Sequence, residues 1–310
     1  MNGAIHHVTA ISGEARRTID FYTRVLGLRL VKKTVDFDEP SIGHLYFGNA
    51  AGSPGSLITF FPIEHAAEGR LGVGDVQETV FAVPEASLGY WTHRFLEKSV
   101  ANKGLSRRFG ERAIAFKDLD GTDLALVGMR GVEGAPGPVG GEVPAEHAIR
   151  GLHGVSLLLE EAGPTARILT EVFGYEEVGA EETTRRFRRP GATFGAVVDI
   201  RAVGGFLVPR PGRGSVHHVA FRAVDDAAQA AMATKVAEEH ELEPTEPKDR
   251  RYFRSVYFRE PGHLLFEIAT DEPGFDVDEA PDRLGEVLQI PPFLEARREE
   301  IAADLPDLAD

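Results

Sequence analysis

One strand-like motif occurs twice in this chain and restricts its fold more than any other feature. Ala4-Ile5-His6-His7-Val8-Thr9-Ala10 stands at the start, and Ser215-Val216-His217-His218-Val219-Ala220-Phe221 repeats it far downstream. Both are short and apolar with β-branched residues, as half-buried strands are, yet each carries two imidazoles where a core strand has none. A third run, Gly262-His263-Leu264-Leu265-Phe266-Glu267-Ile268, follows the turn signal Glu260-Pro261-Gly262 and sets a carboxylate between Phe266 and Ile268. Burying that carboxylate is costly unless it is paired or bound to a cation. Two imidazoles and one carboxylate are the ligand set of a non-haem Fe(II) facial site. One His of each pair, with Glu267, is therefore expected to hold a metal ion.

The surroundings of the motif repeat as well. A strand over 5–12 leads into an amphipathic helix over 14–26, with Ile19, Phe21, Tyr22, Val25 and Leu26 on its apolar stripe. Gly27 ends it as a C-terminal cap, and strand-like runs follow over 28–35, 44–47 and 56–61. The same order returns after Arg150: strand Leu152-His153-Gly154-Val155-Ser156, a helix over 165–173, and a stop at Gly174. Gly27 to Gly174 and His6 to His153 are the same interval, a mark of internal repetition. Two more copies run from about 77 to 127, with a helix over 88–101, and from 215 to 268, with a helix over 227–239. The expected fold is α+β: four βαβββ modules forming two paired-module half-barrel domains. In chain order, 1–130 and 148–275 are two-module domains. The segment 131–147, dense in Gly and Pro around Gly134-Ala135-Pro136-Gly137-Pro138-Val139-Gly140-Gly141, suits a surface linker. Residues 276–310 form a tail, with a charged helical run over 294–303, expected to wrap a surface rather than build the core.

Composition narrows the function. The 310 residues include no cysteine, which excludes disulfides, thiolate catalysis and cysteine zinc sites and suits a reducing cytoplasm. A formal net charge of −15 argues against a nucleic-acid partner. No apolar run is long enough to span a membrane, and the start of the chain lacks the pattern of a signal peptide. A soluble cytoplasmic protein is expected, and a homo-oligomer is compatible with this reading.

Successive strand residues point to opposite faces, so His6 and His7 are not expected to share a cavity, nor are His217 and His218. With the modules aligned, the Glu267 position falls on Phe60 in module one, near Leu126 in module two and near Ile200 in module three. The His7 position falls near Glu78 in module two and on Gly154 in module three. Only modules one and four keep good ligands, which leaves coordination positions open for catalysis. Glu267 has a competing reading as the partner of Arg250 or Arg251 in a buried ion pair. His44, His65, His93, His147, His240 and His263 lack the repeated context and are expected to be surface or structural residues.

These residues carry a resemblance. The repeated module with its His-bearing first strand and Glu-bearing last strand resembles the vicinal oxygen chelate superfamily, which includes glyoxalase I and extradiol dioxygenases. Within it, the chain is most similar to hydroquinone-type ring-cleaving dioxygenases. The motifs are Ile5-His6-His7-Val8-Thr9, Gly43-His44-Leu45-Tyr46-Phe47, Val216-His217-His218-Val219-Ala220-Phe221, Asp249-Arg250-Arg251-Tyr252-Phe253, and Ser255-Val256-Tyr257-Phe258-Arg259 through Glu267. The resemblance spans about 4–275. It implies that the second His of each pair and the late Glu, here His7, His218 and Glu267, bind Fe(II). His6, His217 and Thr9 would support them from behind. Arg250 would stabilise a phenolate, and Tyr257 would donate a hydrogen bond or transfer a proton. The implied substrates are a small aromatic diol, such as a hydroquinone, and O2.

Other readings remain at this stage. A glyoxalase-like isomerase or lyase would use Zn(II) or Ni(II) as a Lewis acid and usually a fourth protein ligand, whereas Phe60 stands at that position. Mn(II) is a further alternative metal. An antibiotic-modifying transferase of this superfamily tends to be a single pair of modules. A non-catalytic aromatic-ligand-binding protein would lack the His and Glu donors.

Overall fold

The computed structural model describes residues 3–305, apart from Val139 and Phe206, together with Leu308. Val139 of the linker and residues 306, 307, 309 and 310 of the tail lie outside the described residues.

The four modules are present. The first is β1 (Ile5–Ser12), α1 (Ala15–Asp20), β2 (Arg29–Val35), β3 (Gly43–Gly48) and β4 (Leu57–Pro62). The second is β5 (Asp75–Pro84), α2 (Leu88–Glu97), β6 (Asn102–Arg108), β7 (Glu111–Lys117) and β8 (Asp123–Met129). The third is β9 (Gly151–Leu159), α3 (Gly163–Arg167), β10 (Glu176–Glu181), β11 (Thr184–Arg188) and β12 (Val197–Ala202). The fourth is β13 (Val216–Ala223), α4 (Asp226–Glu238), β14 (Lys248–Asp249), β15 (Arg254–Arg259) and β16 (Leu265–Thr270). Helices α1 and α3 both widen into a π turn, over Phe21–Val25 and Ile168–Val172, just before Gly27 and Gly174. Both glycines take positive φ, 72° and 70°, which a side chain would resist.

The modules join into two eight-stranded sheets, but not in chain order. One sheet runs β14-β15-β16-β13-β1-β4-β3-β2 and the other β10-β11-β12-β9-β5-β8-β7-β6. Hydrogen bonding thus crosses the chain-order division at 131–147, pairing module one with module four and module two with module three. The linking pairs are antiparallel, β1 with β13 and β5 with β9. In each sheet one face packs against helices. In β16, Phe266 and Ile268 go to the main core while Glu267 points the other way; α4 packs behind, and Gln229 Nε2 donates to the Ile268 carbonyl at 2.7 Å. The opposite, concave faces are where functional side chains can gather.

The linker and the tail are tied down more firmly than their composition suggests. Val132 and Val143 are buried. The tail straps across β2, with Thr34 Oγ1 donating to the Gln289 carbonyl at 2.7 Å, and Leu288, Ile290, Leu294 and Ile301 join the main core. The tail therefore builds core as well as covering it; the apolar spacing of these four residues was hidden among charges. Its anchor is Lys32, fully buried in β2. The Lys32 ammonium donates to the Phe275 carbonyl at 3.1 Å and to Asp278 at 2.6 Å, pairs with Glu279, and lies 5.0 Å from the centre of the Tyr252 ring. No helix among the described residues is long and apolar enough to cross a membrane.

Removing one partner from a buried charge cluster leaves the others unpaired, at a cost of about 3–5 kcal/mol. Lys32→Met is expected to lower stability by an amount in that range in urea denaturation. Lys98→Met, which breaks an exposed pair with Glu142, is expected to leave the urea midpoint nearly unchanged, because solvent screens that pair.

Candidate metal centre

The site begins with backbone register. Across β1 and β13, His7 faces Ala220 and Thr9 faces His218. Across the parallel pair of β13 and β16, Ala220 faces Glu267. His7, Ala220 and Glu267 thus form one row over three strands, with His218 two residues from Ala220 on the same face. The small Ala220 leaves room for the larger side chains to converge above it. His7 Nε2 is 3.4 Å and His218 Nε2 2.9 Å from Glu267 Oε2, and the two Nε2 atoms are 3.3 Å apart.

Three donors bound to one ion at about 2.1 Å stand roughly 3.0–3.4 Å apart, for angles from a right angle to tetrahedral. All three side chains are buried, and Glu267 Oε2 receives no hydrogen bond. An unsatisfied buried carboxylate oxygen is expensive, and a cation at this point would satisfy it. The residues fit a metal ion. Among the described residues, this is the one cluster of His, Cys, Asp and Glu whose donor atoms converge closely enough to hold one.

The paired histidines are explained by β-bulges. Register slips between Ile5 and His7, and His217 is likewise an extra residue against Thr9 and Ala10. A bulge inserts one residue and re-aims its side chain. It brings His6 Nδ1 to 2.9 Å from His7 Nδ1, and His217 Nδ1 to 2.8 Å from His218 Nδ1. His217 consequently lines the same cavity as His218. This corrects the strict strand alternation expected from sequence. With the Nε2 lone pairs of His7 and His218 facing the centre, their Nδ1–H groups donate to His6 and His217, fixing the tautomers.

Burial first, and then the neighbouring imidazole, hold His6 well below the ordinary histidine range and bring His217 down to about 4. Burial also lowers His218, although Glu267 opposes it. Burial alone would raise Glu267; the imidazoles of His7 and His218 instead hold it well below the usual carboxylate range. Its other oxygen, Oε1, accepts from Ser255 Oγ at 2.6 Å.

Register also corrects the alignment of the modules. In β1 and β4, Thr9 faces Thr59, just as Ala220 faces Glu267. The residue equivalent to Glu267 is therefore Thr59, while Phe60 belongs to the main core. The error was one residue, which in a strand exchanges the faces. Thr9 Oγ1 and Thr59 Oγ1 are 2.7 Å apart, and His44 Nε2 is 2.9 Å from Thr59 Oγ1. His44 in turn meets the Tyr46 hydroxyl at 2.9 Å through Nδ1. Thr9 thus lies in a polar chain behind the site. His44, read from sequence as surface or structural, instead lines the cavity; only its place in the Gly43–Phe47 motif hinted at this.

The three donors lie at the base of a cavity of about 230 Å³ with aromatic walls, including Phe37, Phe61, Phe253 and Tyr257. That is below the roughly 300 Å³ from which drug-sized ligands are housed, and it suits a single ring. Tyr257 is paired in register with Glu267, and its ring centre is 5.9 Å from that of His218. Arg250 Nε donates to the Tyr257 hydroxyl at 3.2 Å, and Arg250 Nη2 donates to Asp38 at 2.7 Å. Burial, reinforced by Glu267, raises the Tyr257 hydroxyl above its ordinary value, so it stays protonated. Burial works against the Arg250 charge, but Tyr257 and Asp38 more than compensate. Arg250 pairs with Asp38 and Arg251 with Asp278, so the alternative partners considered for Glu267 are engaged elsewhere.

The second sheet carries the same architecture without the donors. Glu78 occupies the His7 position and Gly154 the His218 position, and Asp199 faces Ser156 where Glu267 faces Ala220. A Cβ on Gly154 would come within 1.9 Å of the Val197 carbonyl oxygen, so no histidine fits there. Instead Arg108 pairs with Glu78, and Arg186 joins Asp199 at 2.7 Å to Glu111 and thence His153. That concavity is closed by charge pairing.

Comparison with known proteins agrees with this architecture. Residues 4–268 match the model of the Glyoxalase/Bleomycin resistance protein/Dioxygenase superfamily. A Bacillus subtilis (strain 168) protein provisionally named ring-cleaving dioxygenase MhqE is 42% identical, covering 98% of each chain. The chlorohydroquinone/hydroquinone 1,2-dioxygenase of Sphingobium indicum is 30% identical over 98% of this chain and 96% of its own. A crystal structure from Bacillus subtilis subsp. subtilis str. 168, provisionally called a dioxygenase, superposes with a TM-score of 0.93 at 41% identity, covering 98% of this chain and 96% of that one. Glyoxalase I from Zea mays, 13% identical with a TM-score of 0.63 over 86% of this chain and 92% of its own, shares the fold. The chain belongs to the glyoxalase/bleomycin resistance protein/dioxygenase superfamily.

Proposed function

We propose that this protein is a ring-cleaving dioxygenase that uses Fe(II), held by His7, His218 and Glu267, to open a hydroquinone or related aromatic diol with O2. The observation that carries this reading is the convergence of two imidazoles and one carboxylate at the base of an aromatic cavity. Three donors on one side leave the cavity side free for substrates. The relatives named for ring cleavage and hydroquinone oxidation support the same reading.

Bound iron would supply the one-electron chemistry that lets a closed-shell diol react with dioxygen. The protein's residues prepare the ring. The aromatic walls stack on it and exclude water. Tyr257 keeps its proton and can donate it to an oxygen of the diol, while the Arg250 guanidinium favours the ionised phenol. His217, an acceptor at Nδ1, carries its proton on Nε2 and can donate it within the cavity. His6 and Ser255 orient His7 and Glu267.

A glyoxalase-like isomerase or lyase is the second reading. It usually has a fourth protein ligand at Glu267's counterpart, where this chain has Thr59, hydrogen-bonded to Thr9 and His44. The two are separated by anaerobic reconstitution with Fe(II) followed by oxygen uptake on adding 1,4-dihydroxybenzene. Equimolar uptake, with both atoms of labelled dioxygen in a ring-opened product, is expected. Tight Zn(II) or Ni(II) binding with no uptake would favour the isomerase. Bound iron with no uptake from any hydroquinone would remove the diol reading.

Two substitutions separate the residue roles. Ser255→Ala is expected to weaken metal affinity about 10- to 100-fold in a chelator competition, as loss of a supporting hydrogen bond does. Tyr257→Phe is expected to lower kcat by about 10²- to 10⁴-fold with metal content unchanged.

A further inference from the structure

The mouth of the cavity carries two cations and two acids: Lys248, Arg250, Asp36 and Asp38. They do not contribute equally. Asp38, on the loop between β2 and β3, accepts from Arg250 Nη2 at 2.7 Å and from Lys248 Nζ at 3.2 Å. Its loop is pinned, because the Asp38 amide donates to Asp36 Oδ1 at 3.0 Å and the Asp36 amide to the Ile42 carbonyl at 2.8 Å. Arg250 Nε donates to the Tyr257 hydroxyl at 3.2 Å, and the Arg250 backbone amide is held by the Phe253 carbonyl at 3.0 Å. Module one thus supplies one carboxylate that occupies both cationic side chains which module four brings to the mouth.

We propose that Asp38 is a specificity-determining residue: by pairing with Arg250 and Lys248, it restricts the cavity to diols whose ring substituents carry no carboxylate. The inference rests on the diol-cleaving reading of the site and names its substrate class. An unmasked Arg250 beside an aromatic slot would be a receptor for an anionic ring substituent, since a guanidinium binds a carboxylate by charge-assisted hydrogen bonds. With Asp38 in place, a substrate carboxylate must displace it from two cations and approach Asp36 as well. A neutral ring meets neither cost. The Arg250 pairing, foremost among its surroundings, also holds the Asp38 carboxyl below the usual range, so the mask stays ionised at neutral pH. Asp38 is 58% exposed at its side chain, so exchanging it disturbs no core packing.

The test compares 2,5-dihydroxyphenylacetate with its amide, a neutral probe of the same size, by anaerobic calorimetry on the Fe(II)-loaded protein. The parent protein is expected to bind the amide more tightly. Asp38→Asn is expected to shift the amide-to-carboxylate preference towards the carboxylate by at least about tenfold, the scale of one charge-assisted contact. Asp38→Glu, which keeps the charge, is expected to preserve the parent preference. Equal binding of both probes by the parent, no gain in Asp38→Asn, or the same gain in Asp38→Glu would each overturn the proposal. Oxygen uptake with 1,4-dihydroxybenzene tests the diol reading separately, because binding preference is measured without turnover.

Discussion

The antiparallel pairing of β1 with β13 is the interaction on which the rest of the site depends. It brings together two segments more than two hundred residues apart in the chain, with His7 opposite Ala220 and Thr9 opposite His218. A slip of one residue in either strand would turn its imidazole from the concave face into the helix-packed core. The two bulges then add what a regular ladder lacks. Each places a second imidazole against the first, so that the Nδ1 atoms of His7 and His218 meet an imidazole rather than a carboxylate or carbonyl partner. The parallel addition of β16 completes the set with Glu267, and β15 beside it delivers Ser255 and Tyr257 to that carboxylate.

The two sheets show how one architecture diverges by a few residues. Both have a central antiparallel pair, bulges and a concave face. In one, small Ala220 leaves space beneath three donors. In the other, Gly154 is pressed against the Val197 carbonyl and two arginines neutralise the acids gathered there. Among the described residues, the converging His and Glu donors are therefore confined to the sheet made by the first and last modules. The tail packs onto that sheet at its β2 edge and is anchored there by Lys32.

Much of this was legible in the sequence, for physical reasons. Strand, helix and glycine stop are local signals, so the module order and the stops at Gly27 and Gly174 could be read directly. The two His-His pairs and Glu267 stood out because polar donors in apolar strands are costly without a partner, whereas the choice of His7 and His218 within the pairs came from the family resemblance. What could not be read depends on non-local register. Thr59 rather than Phe60 matches Glu267 because loop lengths differ between modules, and strand periodicity is unforgiving of one residue. The bulges that bring His217 into the cavity leave no compositional trace. His44 and Asp38 look like ordinary exposed polar residues until β3 and its preceding loop are folded against module four. The pairing of first with last module was likewise invisible, since either pairing buries the same apolar faces.

The central claim is that the three converging side chains make one metal site. Anaerobic Fe(II) titration, read by iron content after desalting, tests it most directly when the parent protein is set beside Glu267→Gln. Glutamine keeps the size of the side chain and removes its charge, and circular dichroism checks that the fold persists. One iron per chain in the parent and loss of stoichiometric iron in the variant is the predicted result. Equal iron in both proteins would contradict the account.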